Sequence, residues 1–145
     1  MGNNQSIQKI NFEDIQFAIK NHESHILLNT LNSNEQDCLL PNTIHALEEE
    51  KMINHLIKSG KMDVRIIIYG RNCNDEKIFV KYKQLYSLGF YNVYVYSGGV
   101  FEWLLLQDIY GANDFITTSK NKNIDIIKYK PSKVFGVPLL EYNSY

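Results

Sequence analysis

Residues 64–103, VRIIIYGRNCNDEKIFVKYKQLYSLGFYNVYVYSGGVFEW, decide the fold. Val64 to Tyr69 is an apolar, β-branched run of the length of a strand buried on both faces. Gly70 to Asp75 is short, polar and turn-forming. From about Glu76 the period changes, and Ile78, Tyr82, Leu85 and Tyr86 fall on one face of a helix that stops at Gly89. A second strand follows at once, Asn92 to Tyr96, and Ser97-Gly98-Gly99 opens a further helix carrying Trp103. A strand–loop–helix–strand unit of this kind closes right-handed into a parallel sheet. Its first loop ends at a helix N-terminus, where converging N–H groups and the helix dipole favour an anion or a thiolate. Cys73 sits in that loop.

The stretch resembles the second half of a rhodanese-like domain. That family's signature is a strand ending in a catalytic-loop cysteine, a helix ending in Leu-x-x-x-Gly-Phe, and a Gly-Gly-x-x-x-Trp turn. Leu85 with Gly89-Phe90, and Gly98-Gly99 with Trp103, match at the family's spacing. Upstream, Ile26-Leu27-Leu28-Asn29-Thr30 resembles the strand that the family usually ends in an acidic residue and an Arg. Leu39-Leu40-Pro41-Asn42-Thr43-Ile44 is similar to its Gly-His-Ile-Pro-Gly-Ala-Ile turn. The resemblance covers roughly residues 7–118. It implies an α/β fold, a mostly parallel central sheet of about five strands with helices on both faces. Ile26, Leu28, Ile66, Ile68, Val93 and Val95 are then core, and Trp103 packs beneath the Gly98-Gly99 turn, where small residues permit close approach.

With 145 residues, 44% of them apolar, the chain makes one domain large enough to bury a core. The net charge of −1 calls for no nucleic acid. Cys38 and Cys73 lack metal-ligand spacing, and with no secretory apolar region they point to a reducing, cytoplasmic setting. His22, His25, His45 and His55 share no metal spacing and read as surface or capping residues. No apolar run is long enough to span a membrane. No metal and no cofactor are expected.

In chain order, Ile7 to Ile10 reads as a short strand, and Asn11 with Asp14 as an imperfect capping box for a helix burying Ile15, Ala18 and Ile19. His25 to Leu31 is expected as the first central strand. His45 to Ile57 reads as a helix with Leu47, Met52, Ile53, Leu56 and Ile57 as its stripe and Glu48 to Glu50 in water. The rhodanese-like domain is placed at 7–118 and a C-terminal extension at 119–145, beginning with a polar break at 119–123. Within the extension, the tail from Ile124 to Tyr145 has strand-like alternation and a small apolar cluster of Val134, Phe135, Val137, Leu139 and Leu140; it wraps back on the domain or meets a partner, and the sequence leaves both open.

The resemblance puts the family's cysteine at Gly70, which cannot carry sulfur. The family often closes this loop with Arg-Ser or Arg-Thr, and the matching positions are Asp75 and Glu76. Two carboxylates there raise a nearby thiol's pKa and repel thiosulfate, but they suit a helix N-terminus. The phosphatase branch of the fold needs an Arg six residues after the cysteine, and neither Gly70 with Glu76 nor Cys73 with Phe79 supplies it. The expected function is a non-catalytic binding or regulatory module, resembling the family's inactive members and the single-domain versions carried by some large DNA viruses. For such a chain the setting would be a virion or host cell. The alternative is a sulfurtransferase using Cys73 from a shifted position, with Arg71 as its cation.

The strand ends supply Asn29, Thr30, Gly70 to Asn74 and Tyr96 to Gly99, with Leu39 to Asn42 nearby. That rim is rich in amides, hydroxyls and free backbone groups, with Arg71 as its only certain cation. A protein or peptide partner is therefore expected in the strand-end cleft, touching Arg71, Asn72 and Asn74 on the surface.

Residues 1–6, MGNNQS, read as a flexible start that fits the myristoylation pattern at Gly2, with Ser6 as its hydroxyl position. One such chain gives weak, reversible membrane association. Co-expression with a eukaryotic N-myristoyltransferase is expected to add one acyl chain at Gly2, read by intact mass; a processed terminus with no mass gain rejects the pattern.

Overall fold

β-Branched and aromatic residues at alternating positions build a parallel sheet with an apolar layer on each face. The computed structural model describes residues 6–121 and 123–136. Among these, β1 (Lys9–Ile10), β2 (His25–Asn29), β3 (Arg65–Tyr69) and β4 (Val93–Tyr96) form one sheet in the order β1-β4-β3-β2, every pairing parallel. Four helices accompany it: α1 (Phe12–Lys20), α2 (Glu49–Lys58), α3 (Lys77–Ser87) and α4 (Gly99–Tyr110). Gly2 and the apolar residues Val137, Leu139 and Leu140 lie outside the described residues.

Alternation along β3 sorts the core. Ile67 and Tyr69 join Ile15 and Ala18 of α1 and Val100, Trp103 and Leu104 of α4. Ile66 and Ile68 join Ile53 and Leu56 of α2 and Ile78, Tyr82 and Leu85 of α3. The two clusters are the helix layers on opposite faces of the sheet. Leu28, Ile66, Ile68, Val93 and Val95 are buried as expected, and Ile26 is half-buried. The Asn11 cap is complete: its side chain accepts from the Glu13 and Asp14 N–H groups, and Asp14 accepts from the Asn11 N–H.

The described sheet has four strands where about five were expected, and β2 is an edge rather than a central strand. Beyond it only Thr43 pairs with Leu27, a single parallel bridge, with Ile44 N–H donating to the Leu27 carbonyl at 2.9 Å. The reason is the preceding turn, in which Asn42 adopts φ 64°, and the following 3-10 turn at Ala46–Glu48, which leave only Thr43, Ile44 and His45 between them. That 3-10 turn also shifts the phase of the α2 stripe. Leu47 is 80% exposed and Ile57 39%, whereas Glu49, expected in water, is drawn into an ion pair with Lys81.

Trp103 is fully buried. Its ring meets Phe115 edge-on at 5.0 Å and Tyr96 at 6.5 Å, and its N–H donates to the Ile116 carbonyl at 2.9 Å. Gly99 answers to a different neighbour than the expected tryptophan: a Cβ there would stand 2.6 Å from the Gly70 carbonyl oxygen, and its φ is +66°. Trp103→Ala should cost about 3–5 kcal/mol, because truncation leaves a cavity among rings that cannot close over it. Chemical denaturation measures this, and an unchanged midpoint would contradict the packing.

Candidate functional site

The loop after β3 is held by three neighbours. Its first carbonyls serve α4: Gly70 accepts from the Val100 N–H at 3.0 Å and Arg71 from the Phe101 N–H at 2.9 Å. These N–H groups open a helix and have no partner within it. The loop's far end serves α3, because Asp75 Oδ1 accepts from the Lys77 N–H at 3.1 Å. The capped turn expected from the acidic pair is thus made by Asp75, while Glu76 is exposed and supplies no side-chain cap. The third neighbour is the end of β2, where the Thr30 hydroxyl donates to Asp75 Oδ2 at 2.7 Å.

The Asp75 carboxylate occupies the space in front of Gly70. Its Oδ2 also accepts from the Arg71 N–H at 3.3 Å. A Cβ built on Gly70 would lie 2.2 Å from Asp75 Oδ2 and 2.6 Å from the Thr30 hydroxyl oxygen. An internal anion therefore takes the hydroxyl and amides that face this point. Behind it, Tyr69 is wholly buried, its hydroxyl meeting Thr43 Oγ1 at 2.8 Å and accepting from the Leu40 N–H at 3.1 Å. Burial holds its phenol well above the usual range. Tyr96 is raised likewise by burial, and then by donating to Glu102 Oε2 at 2.5 Å.

The other expected site residues divide. Cys73 and Asn74 are exposed, and the Cys73 thiol donates to Asn74 Oδ1 at 3.7 Å. Arg71 is half-buried, and Asn72 is buried, against the expectation that both are free at the surface. The cause is the chain's own C-terminal segment. The Arg71 guanidinium donates to Glu35 Oε2 and to the Lys128 carbonyl, and its carbon stands 5.2 Å from the Tyr129 ring centre. Asn72 Nδ2 donates to the Tyr129 carbonyl at 2.8 Å, while its Oδ1 accepts from the Asn74 N–H. So the cation expected to serve Cys73 is held by a carboxylate and a carbonyl.

Sequence reasoning missed Glu35 and residues 124–130. The sequence pattern puts the apolar cluster of the extension further on, yet Val134 and Phe135 are each 83% exposed, and Tyr129 is the residue that enters the core. In place of the strand-like alternation expected from Ile124 onward, Ile126–Tyr129 form a 3-10 turn, capped by Asp125, whose side chain accepts from the Ile127 N–H; the apolar residues Ile124, Ile126, Ile127 and Tyr129 were its signal. Beneath Tyr129 lies Cys38, 3% exposed, its thiol hydrogen-bonded by the Thr117 and Tyr129 hydroxyls and pushed up by burial. Between the loop and the segment runs an open groove of about 630 Å³. Lys77, Lys128 and Lys130 line it beside Arg71, so Arg71 is not the rim's sole cation. Among the described residues no three His, Cys, Asp or Glu converge as metal ligands, and no helix is long and apolar enough to cross a membrane.

Residues 15–106 match the family model of the rhodanese-like domain. Two solved structures share the fold. The Saccharomyces cerevisiae single-domain sulfurtransferase RDL2 is 17% identical, with a TM-score of 0.51 over 72% of this chain and 94% of that one. The Alr3790 protein from Anabaena sp. is 20% identical, with a TM-score of 0.53 over 70% of this chain and 88% of that one. No curated protein matches the chain at a significant level.

The crowding at Gly70 yields a thermodynamic cycle. Asp75→Ala should cost about 1–3 kcal/mol, since it strips acceptors from Thr30, Arg71 and Lys77. Gly70→Ala should cost a similar amount by driving the carboxylate out, and much less once Asp75 is already alanine. A coupling of about 1 kcal/mol or more is expected from urea denaturation of the two single variants and the double; strict additivity would mean that the two groups do not share this space.

Proposed function

Because the chain belongs to the rhodanese-like domain family, we propose that it keeps the family's scaffold as a binding or regulatory module without sulfur-transfer catalysis. The observation that carries this is the Asp75 carboxylate, whose oxygen lies 2.2 Å from the position a Cβ on Gly70 would take. Sulfur transfer needs a thiolate that is stabilised by converging N–H groups and cations, and that can hold a persulfide. Here Gly70 has no side chain, and an aspartate already uses the Arg71 N–H and the Thr30 hydroxyl. A second anion, whether thiosulfate or persulfide, would meet Asp75 at close range and be repelled. The ligand of such a module is a protein or peptide at the strand ends, and the net charge of −1 gives no footprint for nucleic acid.

The competing reading, a sulfurtransferase using Cys73, rests on that thiol being exposed in the same loop. A thiosulfate:cyanide assay separates the two. Thiocyanate at background level is expected for the wild type and for Cys73→Ser alike. Robust production that is lost in Cys73→Ser would establish the sulfurtransferase and end the binding-module reading.

A further inference from the structure

Residues 124–130 sit on the strand-end face as a short ligand would. Their turn is closed by their own hydrogen bonds: Ile127 N–H to Asp125 Oδ1 at 3.2 Å, and Lys130 N–H to the Ile127 carbonyl at 3.1 Å. Two consecutive carbonyls, of Lys128 and Tyr129, are read by the side chains of Arg71 and Asn72. One ring is inserted, Tyr129 at 1% exposure, while the residues on either side of it stay half-buried. The segment lies beyond the family match, which ends at residue 106, and contributes no residue to the sheet or to the four helices α1 to α4. The chain leading to it is pinned at Thr118, whose N–H and hydroxyl pair with Leu39; beyond it Lys120, Asn121 and Asn123 are exposed.

We propose that the strand-end face is a peptide-recognition site for a one-turn segment bearing a tyrosine, that residues 124–130 occupy it in cis, and that a partner segment of the same chemistry enters when they lift. This rests on the binding-module reading and gives it a ligand class. The recognition elements are an aromatic pocket over Cys38, a guanidinium above the ring, and two side chains that read backbone carbonyls. Glu35, paired with Arg71, holds the guanidinium in place at the pocket. Because Arg71 and Asn72 come from the loop after β3, filling the site also fixes that loop.

The test retains every residue of the chain. A protease site is inserted within 119–123, and the folded full-length protein is cut there. The probe is a fluorescein-labelled synthetic peptide of residues 123–136. The cut chain is expected to stay folded, to exchange its own segment for the probe saturably, and to bind a Tyr129→Ala probe about tenfold or more weakly. The uncut chain should bind the probe much more weakly than the cut one, because the cis segment competes. A second measurement avoids cutting: thiol trapping of Cys38 in full-length Cys73→Ser, where Arg71→Ala should speed trapping about tenfold by favouring local opening. The proposal fails if the cut chain unfolds as it loses its segment, if the probe does not bind, or if the two probes bind equally. It fails too if Cys38 is trapped only through global unfolding. Thiocyanate formation is read separately, so loss of the non-catalytic reading and loss of this one are distinguishable.

Discussion

The approach of the Gly70 carbonyl to Gly99 is the constraint on which the strand-end face depends. No side chain fits at Gly99, where a Cβ would stand 2.6 Å from that oxygen and 3.0 Å from the Asn72 nitrogen. With the Cβ absent, the loop after β3 lies against the first turn of α4 and its carbonyls satisfy the Val100 and Phe101 N–H groups. Two otherwise orphaned amides and two loop carbonyls are paired at once, each pairing worth about 0.5–1.5 kcal/mol. The fixed loop then directs Asp75 toward Thr30 and Arg71 and Asn72 toward the C-terminal segment.

This geometry turns an anion site into an anion. Loops at strand ends that gather N–H groups are suited to negative charge from outside. In this chain the negative charge is covalently supplied by Asp75, at the start of α3 where a carboxylate is favourable. The substitution costs no stability for want of a ligand, since hydroxyl, loop amide and helix amide are all satisfied in the free protein. A scaffold that fills its own anion position in this way can be rigid without substrate.

Much of the fold was legible because its signals are local. The run Ile66–Ile68, the period of α3 and the stops at Gly89 and Gly111 each depend on a few neighbouring residues, and each appears where the pattern placed it. The edge position of β2 was not legible, since strand order is set by long-range pairing and the family's turn is represented here by a single bridge at Thr43. At the site, the missing side chain at Gly70 and the capping role of the acidic pair could be read directly. The fate of Arg71 and Asn72 could not, because it is decided by Glu35 and by carbonyls 57 residues further along the chain. Backbone carbonyls carry no sequence signature. The apolar residues around Tyr129 and its Asp125 cap marked a turn but not where it docks, and one tyrosine among ten gives little to single it out.

The order of elements along the chain has a consequence for how the protein comes into being. Residues 124–130 follow every strand and the helices α1 to α4 in the chain, so the sheet can be assembled while its strand-end face is still open. Until then Cys38 lacks its cover and Arg71 has only Glu35 for company. A segment that docks on such a surface makes late contacts. Contacts of that kind slow unfolding and leave the rate of folding nearly unchanged. For the nascent chain, closure of this face is a finishing step, and the interval before it is when other polypeptides have the freest access to Cys38.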